Sequence, residues 1–180
     1  MIKKLNNKIR KCRKCDCYRD IIILPQPGYF KGKILFIFQN PAYPKNKKSD
    51  ENLKNGADFD ISYLTSLKSS TLSKFINDLG LDWNIISITN IVKCPMKDNI
   101  SPYDTIIDNC KSYTLLQIVN FEISCILLVG SIAKEYLFSM LSALDLPILT
   151  VPHYSHLFRI GDLAYKLSIS KVKQFISKYQ

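Results

Sequence analysis

Short apolar runs constrain this chain more than any other feature. Ile34-Leu35-Phe36-Ile37-Phe38 and Cys125-Ile126-Leu127-Leu128-Val129 are apolar at every position. A strand with one wet face alternates apolar and polar residues, whereas an unbroken run fits a parallel strand covered on both faces. Residues 85–89 form a β-branched run of the same character, and residues 146–151 supply another. Between these runs the spacing turns helical. Residues 71–79 form a helix closed by Gly80, a second helix runs from Pro102 to about Phe121, and a third covers 132–144. A basic amphipathic helix over about 170–179 ends the chain, and Ile2, Leu5 and Ile9 mark one side of a short helix at its start. Strands alternating with helices predict a three-layer α/β/α domain with a central four-stranded parallel sheet, residues 1–180 forming a single domain.

A parallel sheet has a functional edge, because its strands end together and open α/β sheets bind ligands beyond those ends. Three of the expected strand ends carry polar loops: 39–43, 90–94 and 153–159. Their convergence on one cleft is expected from topology alone. The segment 87–110 is the densest. Its strand stops at Asn90, Cys94 follows in a loop, and Ser101-Pro102-Tyr103-Asp104 reads as an N-cap, a first-turn proline and a first-turn acid. The helix so started places Ile106, Ile107, Cys110 and Tyr113 on one face.

Two cysteines thus flank one loop, and Cys12, Cys15 and Cys17 form a C-x2-C-x-C cluster among basic residues. No apolar targeting segment and cleavage site follow Met1-Ile2-Lys3-Lys4, so a cytoplasmic protein is expected, in which clustered cysteines point to metal rather than to disulfides. A C-x2-C pair alone is compatible with zinc, an iron–sulfur cluster or a redox couple. The 25 Lys and Arg against 15 Asp and Glu give a formal charge of +10. Such a surplus favours a polyanionic partner through counterion release, although solvated lysines carry the same signature. No apolar run approaches the ~20 residues of a membrane span.

From Cys12 to Arg159 the sequence resembles the uracil-DNA glycosylase superfamily, most closely its iron–sulfur branch, family 4. Cys12-x2-Cys15 followed by Arg19 looks like the amino-terminal cluster motif of that branch. Asn90-Ile91-Val92-Lys93-Cys94-Pro95 is similar to its N-V-V-K-C-R-P signature, and Cys110 falls where a fourth ligand is expected. Gly56-Ala57-Asp58-Phe59 is a looser match to a G-x-P-F segment, and His153-Tyr154-Ser155-His156-Leu157 to an H-P-S-x-L loop. The chain departs from family 4 at Phe38-Gln39-Asn40-Pro41-Ala42, where the branch usually has G-E-x-P-G. The acid is absent, and the Asn-Pro pair resembles instead the G-x-N-P-G loop of the mismatch-specific and single-strand-selective branches. Tyr154 replaces the usual proline of the second loop.

The resemblance implies a monofunctional glycosylase that hydrolyses the N-glycosidic bond of uracil in DNA, with these residues in named roles. Asn90 pairs with uracil O4 and N3–H, because an amide offers both an acceptor and a donor. Phe59 stacks on the flipped base, with Tyr63 close by in sequence, and Gln39 and Tyr43 line the base pocket. Asn40 holds the attacking water, and His153 donates to O2 as the base departs as an anion. Ser155 and Arg159 contact phosphates, and Leu157 fills the gap left by the extruded nucleotide. Cys12, Cys15, Cys94 and Cys110 hold a [4Fe–4S] cluster, with structural zinc as the alternative, while Cys17 is spare and Cys125 sits in a core strand. The expected partner is uracil-containing DNA, bound by a monomer at the nucleoid. Competing readings are a glycosylase for hypoxanthine or a mismatched thymine, and an iron–sulfur DNA-binding module with weak catalysis. Covalent capture of the sugar by a histidine is disfavoured, since no histidine lies between Gln39 and Asn90.

Overall fold

A computed structural model describes residues 2–15, 25–41, 71–96 and 100–180. Among these, five strands, β1 (Tyr29–Phe30), β2 (Ile34–Phe38), β3 (Ile86–Asn90), β4 (Cys125–Val129) and β5 (Ile148–Val151), form one sheet in the order β1-β3-β2-β4-β5. The helices are α1 (Ile2–Arg10), α2 (Thr71–Leu79), α3 (Asp104–Val119), α4 (Ser131–Ser142), α5 (Tyr154–Ile160) and α6 (Asp162–Ile176). The four expected strands are present and mutually parallel, each buried along its length except for half-buried β5.

The sheet is mixed rather than purely parallel, because β1 adds an antiparallel edge on β3, pairing Tyr29 with Ile88 and Phe30 with Ser87. Two glycines allow this edge to press so closely. A Cβ on Gly28, whose φ is +109°, would lie 2.5 Å from the Ile88 carbonyl oxygen, and one on Gly32 would lie 1.8 Å from the Ile85 carbonyl carbon. Ser87 Oγ then donates to Gly32 O at 2.5 Å and accepts from Lys31 N–H at 3.1 Å.

Side-chain alternation divides the core into two layers. Ile34, Phe36 and Phe38 of β2, with Ile86 and Ile88 of β3, face α2 and α6. Leu35 and Ile37, with Ile126 and Leu128 of β4, face α3 and α4. The three-layer expectation therefore stands. Two helix boundaries shift: α3 begins at Asp104 with Tyr103 as an N-cap that makes no side-chain hydrogen bond, so Ser101 is not the cap and Pro102 precedes the helix. The last helix starts at Asp162, eight residues earlier than expected, because Tyr165, Ile169, Val172 and Ile176 continue its buried stripe backwards.

Candidate active site at the strand ends

The cleft is built from the carboxyl ends of β2, β3 and β5. Phe38, the last residue of β2, pairs in register with Asn90, the last residue of β3. The chains stay together past the strands, since Ile91 N–H donates to Phe38 O at 2.8 Å and Val92 N–H to Gln39 O at 2.9 Å. Residues paired in a parallel register present their side chains to the same face. Asn90 and Phe38 therefore share a side of the sheet, and Asn90 is 4% exposed. Across from them, beyond β5, the His153 ring meets the Phe38 ring edge-on, with centroids 5.8 Å apart. Tyr154 lies 4.3 Å from His153 and stacks on Phe75 of α2, which fixes the wall of the cleft. Asn40 and Gln39 stand on the adjoining loop, half-buried, and Asn40 Nδ2 donates to Pro41 O at 2.9 Å, leaving Oδ1 as its acceptor.

His153 has a defined tautomer. It is the N-cap of α5, and its Nδ1 accepts from Ser155 N–H at 3.3 Å and lies 2.8 Å from Ser155 Oγ. A backbone N–H only donates, so Nδ1 carries a lone pair and the ring proton sits on Nε2. Burial, reinforced by the charge of Arg159, holds the imidazole below its ordinary pKa. The group at this edge is thus a neutral ring with one N–H to give.

The segment read as the loop 153–159 is helical from Tyr154. Helical spacing sends Ser155, His156 and Arg159 outward and exposed, and turns Leu157 inward, where it is 2% exposed in the core. The reading of Leu157 as an apolar wedge is corrected on that ground, since its side chain is already occupied in packing. Arg159 Nε donates to Ser155 O at 3.3 Å, so the two polar positions form one outward patch. Tyr43 and Phe59 lie outside the described residues, as do Cys17, Arg19 and the whole segment from Gly56 to Phe59.

The curated proteins this chain is similar to are type-4 uracil-DNA glycosylases. That of Saccharolobus solfataricus is 28% identical over 138 residues, 76% of this chain and 58% of that protein. Those of Archaeoglobus fulgidus and Sulfurisphaera tokodaii are each 26% identical, over 134 and 140 residues, covering 74% and 77% of this chain and 61% and 58% of theirs. This chain is thus similar in sequence to proteins named type-4 uracil-DNA glycosylases. It spans about three-fifths of the length of the curated relatives it matches. No family model matches it.

Cys110, on α3, is buried, and burial pushes its thiol up to about 11, with Cys15 and Cys12 adding to the rise. The same two cysteines bear on Tyr113, one helical turn from Cys110, and Asn109 Nδ2 reaches Cys15 Sγ at 3.5 Å. Cys94 is buried in the loop after Asn90 and packs in the same layer as Cys110. The soft thiol donors therefore share one neighbourhood between the end of α1, α3 and the loop after β3. Among the described residues, however, no three His, Cys, Asp or Glu stand as a group that could hold a metal ion. Cys125 is the core-strand cysteine expected, its thiol raised to about 11 by burial.

Sequence reasoning missed the polar bundle behind Asn90. Lys93 is 1% exposed, and its Nζ lies 2.8 Å from Thr89 Oγ1, 2.5 Å from Asn90 O, 2.9 Å from Thr114 Oγ1 and 2.8 Å from Gln117 Oε1. Burial lowers its pKa to about 7, against the opposing pull of Cys110. Thr114 Oγ1 also donates to Asn90 O, and Gln117 Nε2 donates to Pro27 O at 2.6 Å and to Asn6 Oδ1 at 3.3 Å. One signal was available: Thr114 and Gln117 fall at four and seven residues from Cys110, polar side chains on a buried face that require a buried partner.

Proposed function

We propose that this chain is a uracil-DNA glycosylase that hydrolyses the bond between uracil N1 and the sugar C1′, starting base-excision repair on DNA. The observation that carries the reading is the meeting, at one strand edge, of a buried amide, Asn90, with a neutral imidazole whose only ring proton is on Nε2, His153. Those are the two functions that uracil release requires: a group matching O4 and N3–H, and a donor for O2 as charge develops there. The similarity to enzymes named type-4 uracil-DNA glycosylases supports the same substrate.

In this mechanism the uracil nucleotide is turned out of the helix into the cleft, where the Asn90 amide pairs with its edge. Phe59 stacks on the base, with Gln39 and Tyr43 beside it. The C1′–N1 bond breaks with its electron pair going to N1, and the resulting anion is stabilised at O2 by His153 Nε2–H. Asn40 Oδ1 orients a water whose oxygen bonds to C1′, its proton passing to solvent. Asn40 is not a base, so stabilisation of the cationic sugar falls to the DNA phosphates and the departing uracil anion. Ser155 and Arg159, exposed on one side of α5, contact phosphates, within a chain of charge +10 that acts as a monomer at the nucleoid.

Cys12, Cys15, Cys94 and Cys110 would hold a [4Fe–4S] cluster, which would staple the arm after α1 to the loop beside Asn90. Four thiols and no other donor type favour this over catalytic zinc, although structural zinc suits the same set. The activity test is incubation of the protein with single- and double-stranded oligonucleotides carrying uracil, hypoxanthine or a G·T mismatch, followed by alkaline cleavage. Strand breaks at uracil are expected. Breaks only at hypoxanthine or G·T would move the substrate, and none anywhere would leave a DNA-binding module.

A further inference from the structure

Lys93 is odd for a solvent-loving residue. It is wholly buried, and all four oxygens around its Nζ belong to uncharged groups. Burying an ammonium without a carboxylate is costly, and such a group is tolerated where every proton is bonded and the geometry is over-determined. Two of its partners bear on the strand end: the Asn90 carbonyl directly, and Thr114, whose hydroxyl bonds that same carbonyl at 3.1 Å. Its main chain is tied too, since its carbonyl accepts from Gln26 N–H at 2.6 Å. Lys93 is therefore held by its backbone to the segment before β1 and grips the last peptide of β3 with its side chain.

We infer that Lys93 is a positioning residue, whose ammonium fixes the Asn90 peptide from behind so that the Asn90 amide meets the base at a set angle, and which ties that angle to the cysteine-bearing loop and helix. The inference rests on the uracil reading for its functional consequence. A base-reading amide needs placement within about 0.5 Å, and Asn90 is the terminal residue of its strand, with ladder pairing on one flank only beyond it.

The decisive experiment is a cycle of Lys93→Met, Asn90→Ala and the double variant, read by single-turnover excision of uracil at saturating DNA. Lys93→Met alone should slow excision by about 10- to 50-fold with DNA affinity unchanged, and Asn90→Ala by about 100-fold or more. If Lys93 acts through Asn90, the double variant should lie within about threefold of Asn90→Ala alone. Losses that multiply would overturn the inference, because a purely structural lysine adds its effect to any other. Should Lys93→Met not fold, Thr114→Val removes the second grip on the same carbonyl without a charge. It should cost about 3- to 10-fold, again absorbed by Asn90→Ala. A parent that excises no uracil defeats the uracil reading, and crystal structures of parent and Lys93→Met then decide this one. A displaced Asn90 peptide supports it, and an Asn90 superposable on the parent's overturns it.

Discussion

The two sides of the end of β3 are both polar, yet they differ in one respect. Behind the strand, Thr89, Lys93, Thr114 and Gln117 bond one another and the backbone carbonyls of Pro27 and Asn90. In front, Asn90 and His153 stand at the same edge without a hydrogen bond between them, separated by the Phe38 ring. A buried polar group without a partner costs stability, so polar groups held apart are either satisfied by a ligand or are a liability. The rear bundle holds the fold together and, through the Asn90 carbonyl, steadies the front pair, which serves binding and chemistry. That division predicts that front substitutions strike excision, whereas rear substitutions also strike stability.

The largest effect is expected in front. His153→Ala should lower single-turnover excision by about two to three orders of magnitude, the usual cost of losing one preorganised donor to a developing anion. Affinity for uracil-containing DNA should hardly move, and the urea midpoint should fall only by the loss of the α5 cap. A loss confined to affinity would mean that His153 binds DNA and does not stabilise the leaving base.

The cysteines test whether front and rear are joined by metal. The purified protein should be brown, and Cys12→Ser or Cys94→Ser should abolish the visible absorption, with excision falling as the loop after Asn90 loses its staple. Colourless protein carrying one zinc per chain after anaerobic purification would replace the cluster by zinc, and metal-free protein of full activity would remove metal from the account.

A smaller effect, in the opposite assay, is expected at the rear. Gln117→Leu is close to isosteric but strips an acceptor from Lys93 and Thr89 and a donor from Pro27 O. Leaving these groups unpaired should cost about 2–3 kcal/mol of unfolding free energy, measured by urea titration. If Gln117→Leu leaves stability intact, the rear bundle is not a stabilising network and the contrast between the two sides fails.

The contrast also explains what the sequence could tell. The parallel sheet was legible because a run such as Cys125–Val129 admits few structures other than a doubly covered strand. The front residues were legible because each follows such a strand, so topology alone sends Asn40, Asn90 and His153 to one edge. β1 was not, since two residues carry no period and depend on the absent side chains of Gly28 and Gly32. Leu157 was misplaced because a polar-flanked leucine after a proline reads as a loop, and only the helical turn of α5 points it inward. Lys93 was missed for a different reason. A lysine in a basic chain is by default a solvated or phosphate-binding charge, and its burial arises from partners 21 and 24 residues away on another element.

The smallest effect concerns acid, and it isolates His153 once more. The imidazole accepts from Ser155 N–H and is depressed by burial first and by Arg159 second, so it is neutral at pH 7 and stays neutral below its ordinary value of about 6.5. Between that value and the lowered folded one, the unfolded chain binds a proton that the folded chain does not. Stability therefore rises with pH across this window, is flat above it as far as His153 is concerned, and is not lost further once both states are protonated. Excision should follow the folded group, holding level as pH falls through 6.5 and declining only below, where a proton on Nδ1 would oppose the Ser155 N–H. Arg159→Ala removes one cause of the depression, so the acid limb should move to higher pH in single-turnover assays at saturating DNA. The plateau rate should change little, since Arg159 is proposed to contact phosphate and not the base. An acid limb that stays where it was in Arg159→Ala, or that disappears in no variant of His153, would assign the limb to another group and take the imidazole out of the rate-limiting chemistry.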